Sequence, residues 1–198
     1  MSIYALKPRF QELLRPLVAR AYRSGVTANQ VTVAACILSV ALGAWLALEP
    51  GASALFLLLP VWLALRMALN AIDGMLAREF GQASTLGAYL NELGDVVSDA
   101  ALYAPFALLA GSSAWLVGAV IALSIIAEMA GVLGVAAGAG RRYDGPMGKS
   151  DRAFIFAVLG LLVGLGLPLA PAFNWIWGAL IVALVATIVN RVRRGCAR

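Results

Sequence analysis

Two short polar stripes interrupt an otherwise apolar sequence. Asn70, Asp73, Gly74 and Ala77 follow Arg66 at intervals of three and four residues, and Gly87, Asn91, Asp95 and Asp99 succeed one another in steps of four. On helices, each set lies along one face. Carboxylate and amide oxygens converging from two such faces suit a hard cation such as Mg2+, Mn2+ or Ca2+. The chain has no histidine and only two cysteines, Cys36 and Cys196, which removes the commonest general base and the usual zinc ligands. Gly74 and Ala77 leave bare helix surface beside those oxygens, where a flat ligand such as a nucleobase could approach the backbone. Taken on residue types alone, a second reading stands beside this one: small and polar side chains that only pack two helices together.

The elements that must hold these stripes are membrane spans. Hydrophobic residues make up 62% of the 198 and charged residues 13%, with a mean hydropathy of +0.89, far from the balance of a soluble domain. Apolar runs near the length of about 20 residues that a spanning helix needs recur at 31–48, 53–77, 86–110, 114–138, 153–171 and 173–190. The expected fold is therefore all-α, a polytopic membrane protein with six transmembrane helices. Pro168, Pro171 and Asn174 mark a very short turn between the last two. Both stripes fall at the same end of the second and third runs, which a loop from Glu79 to Thr85 joins as an antiparallel hairpin. Ionisable residues within a membrane are costly, and their clustering there is a functional signal by default.

Charge placement sets the orientation. Lys7, Arg9, Arg15, Arg20 and Arg23 precede the first run, Arg78 ends the second, Arg141, Arg142, Lys149 and Arg152 lie between the fourth and fifth, and Arg191, Arg193, Arg194 and Arg198 close the chain. The loops on the opposite side hold no Lys or Arg, so both termini and the polar cluster are expected on the cytoplasmic side. The net charge of +5 is thus a topology signal and no sign of nucleic-acid binding. Cys36 in a span and Cys196 in the tail are expected to be free thiols. Residues 1–26 lack the order of a secretory signal. Leu6, Phe10, Leu13, Leu14, Leu17, Val18 and Tyr22 recur there at helical spacing among basic residues, which fits an amphipathic juxtamembrane helix on the inner leaflet or a basic flank that only sets topology. The organisation is then 1–26 juxtamembrane, 27–194 six-helix membrane domain and 195–198 basic tail end. Arg66 and Glu128 fall within the second and fourth spans, as a buried pair or a polar cavity lining. The five tryptophans read as interfacial or packing aromatics.

The run from Asn70 through Asp73-Gly74, Ala77-Arg78, Gly87 and Asn91 to Asp95 resembles the CDP-alcohol phosphotransferase signature D-x2-D-G-x2-A-R-x8-G-x3-D-x3-D, matching six of its eight fixed positions without a gap. Gly25-Val26-Thr27-Ala28-Asn29 at the entry to the first span and Gly148-Lys149 in the basic loop are similar to that family as well. The resemblance implies a transferase of phospholipid biosynthesis in a bacterial cytoplasmic membrane. It would move a phosphatidyl or substituted phosphoryl group from a CDP-linked lipid, CDP-diacylglycerol foremost, to a small polar hydroxyl acceptor, with release of CMP. It also implies one or two Mg2+ or Mn2+ ions and a homodimer. By position, Asp73 would be a metal ligand and Asp95 the general base and a ligand, with Gly74, Ala77, Arg78 and Gly87 lining the CDP site. Lys149, Arg152, Arg141 and Arg142 would meet a phosphate on the acceptor, or else headgroups of membrane lipid.

Asn70 and Asn91 stand where that family carries aspartates, and amide oxygens bind hard cations more weakly than carboxylates. Three outcomes follow: a transferase with a weaker or one-ion site, one in which Asp99 or Glu92 supplies a missing charge, or a homologue that binds a CDP-lipid without turnover. Asp99 is the better placed substitute because it continues the Asn91 and Asp95 stripe. A small transporter would also line its path with polar intramembrane residues, but the bias of the cluster to one side argues against it.

Overall fold

The computed structural model describes residues 6–197; the first five residues of the juxtamembrane segment and Arg198 of the tail lie outside it. The described residues fold into seven α-helices: α1 (Leu6–Arg23), α2 (Ala28–Leu48), α3 (Leu58–Glu79), α4 (Thr85–Tyr103), α5 (Ala114–Ala136), α6 (Lys149–Gly164) and α7 (Phe173–Cys196). A 3-10 turn, Ser53–Leu57, leads into α3, and another, Ala104–Leu108, extends α4. No strand is present among the described residues.

Local chemistry sets the helix starts. Thr27 Oγ1 accepts from the Gln30 backbone N–H while Gln30 Oε1 accepts from Thr27 N–H, a reciprocal cap that satisfies two orphan donors at the head of α2. Ser84 Oγ accepts from Gly87 N–H to start α4, and Asp151 Oδ2 accepts from Gly148 N–H at the start of α6. The far end of α6 departs from expectation. The helix stops at Gly164, well short of 171, because Gly166 takes a left-handed φ of 74° and the N–H groups of Gly166 and Leu167 turn back to Val163 and Leu162. That is a Schellman closure, with Pro168 just beyond it. The last two helices are therefore joined by an eight-residue connection, 165–172, where a very short turn was expected.

Four segments are long and apolar enough to cross a membrane: Ala28–Leu48, Ser53–Glu79, Ala114–Ala136 and Phe173–Cys196. By contrast, α4 carries Glu92, Asp95 and Asp99 along its 19 residues, and α6 has only 16 residues and begins on Lys149, Asp151 and Arg152. Trp115 and Trp175 stand exposed at the first turns of α5 and α7, while Trp177 is fully buried and donates its indole N–H to Ser112 Oγ.

The helices α2 and α4 run in close contact, and α3 packs on α2 and α6, and α5 on α4 and α7. The α2–α4 approach is tightest at Gly43, where a Cβ would lie 2.2 Å from the Ala101 carbonyl oxygen, so only glycine fits. One core holds Leu46, Phe56, Leu59, Phe106 and Trp177, with Tyr103 and Phe156 stacked at 3.6 Å between ring centroids. Nearer the chain's start, Val18 of α1 packs with Ile72, Met75 and Leu76 of α3, and Arg15 pairs with Glu79 at 2.6 Å. These contacts bring the N-termini of α2, α4 and α6 to the same end as the C-termini of α3, α5 and α7. The polar stripes meet there.

Candidate active site

A cleft of about 290 Å³ opens at that end between α2, α3 and α4. Asn70, Asp73, Gly74, Ala77, Arg78, Gly87 and Asn91 all line it, which is every position of the signature stretch except Asp95. Bare backbone shapes its walls. A Cβ on Gly74 would come within 2.8 Å of the Arg78 guanidinium, and one on Gly87 within 2.7 Å of Asn29 Oδ1. Arg78 thus folds its cation over the uncovered surface of its own helix.

Asp73 is 5% exposed, and its Oδ2 accepts from Thr32 Oγ1 at 2.8 Å, so α2 orients this carboxylate. Asp95 sits beside the cleft with both oxygens engaged. Its Oδ1 accepts from Arg66 Nη2 at 3.1 Å and from Asn70 Nδ2 at 3.4 Å, while its Oδ2 is ion-paired with the Lys149 ammonium. One turn further along α4, Asp99 is buried with both oxygens engaged, accepting from Arg66 Nη1 at 2.5 Å and from Arg152 Nη2 at 3.1 Å. Arg66 therefore clamps two carboxylates four residues apart, one on each terminal nitrogen of its planar guanidinium. Asp99 does not line the cleft; the two arginines already compensate its charge.

The network continues through α5, α6 and α7. Glu128 accepts from Arg152 at 3.0 Å and Arg141 at 3.3 Å and lies 3.5 Å from Arg191. Arg141 also pairs with Glu92. Asp144 accepts from Arg142 at 2.9 Å and Arg194 at 2.7 Å. Desolvation is the largest influence on the Asp144 carboxyl and pushes its pKa up, but Arg142 and Arg194 together outweigh it and hold the group below its ordinary value. Arg66 and Glu128, flagged as intramembrane charges, belong to one network, joined through Asp99 and Arg152 rather than to each other.

Sequence reasoning did not assign Asn29, Thr32, Gln82 and Ser84 to the site, yet all four line the cleft. Their signal was faint. Asn29 and Thr32 lie three apart at the head of an apolar run, and polar residues there ordinarily read as caps.

A family model for CDP-alcohol phosphatidyltransferase matches residues 25–189. The chain belongs to the CDP-alcohol phosphatidyltransferase family. It is 47% identical over 193 residues to inner membrane protein YnbA of Escherichia coli strain K12, covering 98% of this chain and 96% of that protein. It is 32% identical over 126 residues to archaetidylinositol phosphate synthase of Aeropyrum pernix, over 63% of this chain and 61% of that one. Two solved structures of Mycobacterium tuberculosis phosphatidylinositol phosphate synthase superpose with a TM-score of 0.75 over 92% of this chain. One, in complex with manganese and citrate, is 23% identical with 88% of that chain covered; the other, with CDP-DAG bound, is 22% identical with 92% covered. At such identity they establish the shared fold. The apolar spanning helices and the inner-membrane relative make this an integral membrane protein of a phospholipid-synthesis family.

Proposed function

We propose that this protein transfers a phosphatidyl or substituted phosphoryl group from a CDP-alcohol, CDP-diacylglycerol foremost, to a hydroxyl acceptor with release of CMP. The observation that carries the proposal is the convergence of seven signature positions on one cleft with Asp95 at its edge. In this reading the acceptor oxygen forms a bond to phosphorus, the phosphorus–oxygen bond to CMP breaks, and the acceptor proton passes to Asp95. Arg66, Asn70 and Lys149 hold the Asp95 carboxylate in position at the edge of the cleft. Gly74, Ala77 and Gly87 admit the nucleotide close to the backbone, and Arg78 lies over the diphosphate.

The donor set fits a single hard cation. Among the described residues no three acidic side chains gather into a metal site, and Asp73 is the one carboxylate that lines the cleft. Asp73 would hold Mg2+ or Mn2+ with the amide oxygens of Asn70 and Asn91 and with Asp95 at the margin. The ion would neutralise charge on the donor diphosphate and the departing CMP.

All six helices from α2 to α7 span in this reading, with α4 and α6 shielding their charges against one another, and α1 lies at the interface with Leu13 and Leu17 exposed. The cluster of basic residues at the site end supports a cytoplasmic position for the cleft and for the ends of the chain.

The test is CMP release by purified protein supplied with CDP-diacylglycerol, Mg2+ or Mn2+ and a panel of hydroxyl compounds. Asp95→Asn keeps an acceptor for Arg66 but removes the base, and is expected to lower kcat by about 10²- to 10⁴-fold. No CMP from any acceptor would sink the proposal. Asn70 and Asn91 favour one alternative, a homologue that binds CDP-lipid without turnover. Saturable CDP-diacylglycerol binding with no CMP formed is the outcome that selects it.

A further inference from the structure

Asp73 is the one carboxylate that lines the cleft, so the hold of this site on a cation depends on where a single carboxyl group points. Asn70 and Asn91 add uncharged amide oxygens, which are weaker donors to a hard cation. A cage of several acids tolerates a swing of any one of them, and a site with one carboxylate at its centre does not. Whatever fixes the Asp73 side chain therefore bears directly on cation affinity.

The side chain that does so comes from another helix. Thr32, in the second turn of α2, lines the same cleft. Its Oγ1 donates to Asp73 Oδ2 at 2.8 Å and lies 3.1 Å from the Ala28 carbonyl oxygen one turn back. A hydroxyl has one proton to give, and the carboxylate, nearer and charged, is the stronger acceptor. Among the described residues no other side chain donates to Asp73. The methyl branch of Thr32 faces α4, where a Cβ on Gly94 would lie 3.8 Å from Thr32 Cγ2. Thr32 thus meets α3 with its hydroxyl and α4 with its methyl, and a β-branched side chain engaged at both branches is stiff about χ1. A bond at Oδ2 leaves Oδ1 and further lone pairs of the carboxylate for a cation.

Resting on the single-cation site of the transfer reading above, we infer that Thr32 is a positioning residue: its hydroxyl fixes the Asp73 carboxylate in the orientation that takes up a divalent cation. Thr32 acts through Asp73 and needs no contact with the cation or the donor. Its two branches can be tested apart. Thr32→Val keeps a branched side chain against α4 and deletes the hydroxyl proton, whereas Thr32→Ser keeps the hydroxyl and deletes the methyl.

The experiment titrates the full chain in detergent with Mn2+ alone, followed by electron paramagnetic resonance, and repeats the titration for both variants. Tryptophan fluorescence checks that each is folded. Thr32→Val is expected to weaken Mn2+ binding about tenfold, and Thr32→Ser to stay within about threefold of the wild type. CMP release from CDP-diacylglycerol with a panel of hydroxyl compounds supplies the second readout. There Thr32→Val is expected to raise the Mn2+ concentration for half-maximal rate about tenfold and to regain most of kcat at saturating Mn2+. Wild-type affinity in Thr32→Val with a loss in Thr32→Ser would mean that Thr32 only packs α2 on α4, which overturns the inference and leaves the transfer reading standing. Unchanged Mn2+ binding with a weakened affinity for CDP would make the hydroxyl a donor contact and overturns it as well. The expected Mn2+ pattern with no CMP from any acceptor keeps the inference and sinks the transfer step, and a wild type that binds no Mn2+ overturns the inference and the single-cation site together.

Discussion

Arg66 offers the sharpest test of the buried network. Its side chain is 4% exposed, and its two terminal nitrogens reach Asp99 at 2.5 Å and Asp95 at 3.1 Å. Opposite charges about 4 Å apart attract by about 4 kcal/mol at an effective dielectric of 20, before the desolvation of each ion is subtracted. Arg66→Met fills similar space but leaves Asp99 with Arg152 alone and Asp95 with Lys149 alone, so the cost is the lower part of the range for a broken buried pair, about 3 kcal/mol. Arg66→Lys should recover only part of that, because an ammonium lacks the fixed planar fork that gives each carboxylate its own terminal nitrogen. Asp99→Asn combined with Arg66→Met removes the charge that Arg66→Met strands, so the two losses should fall short of additivity by about 1–3 kcal/mol. Unfolding in mixed detergent micelles, followed by tryptophan fluorescence, reads the wild type, Arg66→Met, Arg66→Lys, Asp99→Asn and the double variant. A loss below about 1 kcal/mol for Arg66→Met, or strict additivity, would refute the picture of a charge network closed inside the helices.

Gly43→Ala should destabilise the protein by about 1–3 kcal/mol, since its Cβ would strike the Ala101 carbonyl; the same unfolding measurement checks it, and an unchanged midpoint would contradict the close α2–α4 crossing. Titration with Mn2+, followed by its electron paramagnetic resonance signal, should saturate at one ion per chain in the wild type and lose that site in Asp73→Asn. Two tight ions per wild-type chain would contradict the single-cation reading.

Periodicity made the α3–α4 hairpin legible. Steps of three and four residues put both polar stripes on facing sides, and the described helix bounds fall within a few residues of the apolar runs for α2, α3 and α5. The end of α6 was harder to read. Gly164, Leu165 and Gly166 sit inside an apolar stretch, and only the left-handed φ of Gly166 with its backward hydrogen bonds reveals a stop. Pairings between elements were not legible at all. Arg66 and Asp99 are 33 residues apart and Arg152 and Asp99 are 53, and no local spacing encodes which helices meet. That gap matters for Asp99, which the four-residue stripe recommended as a spare metal ligand, whereas its oxygens are held by two arginines from different helices.

The two asparagines and Lys149 make most sense together. Four carboxylates around one cleft would repel one another strongly in a low-dielectric setting and would need about four compensating charges to coexist. With Asn70 and Asn91 in place, Asp73 and Asp95 remain, and Lys149 and Arg66 already compensate Asp95. Asn70 even turns its Nδ2 toward Asp95, where an aspartate would have repelled it. A second dication here would have to displace Lys149 from Asp95 and gain only one carboxylate for doing so. In the transfer reading proposed above, the same substitutions that weaken a two-ion cage leave Asp73 for one ion, while the Lys149 ammonium stands as a positive charge beside Asp95.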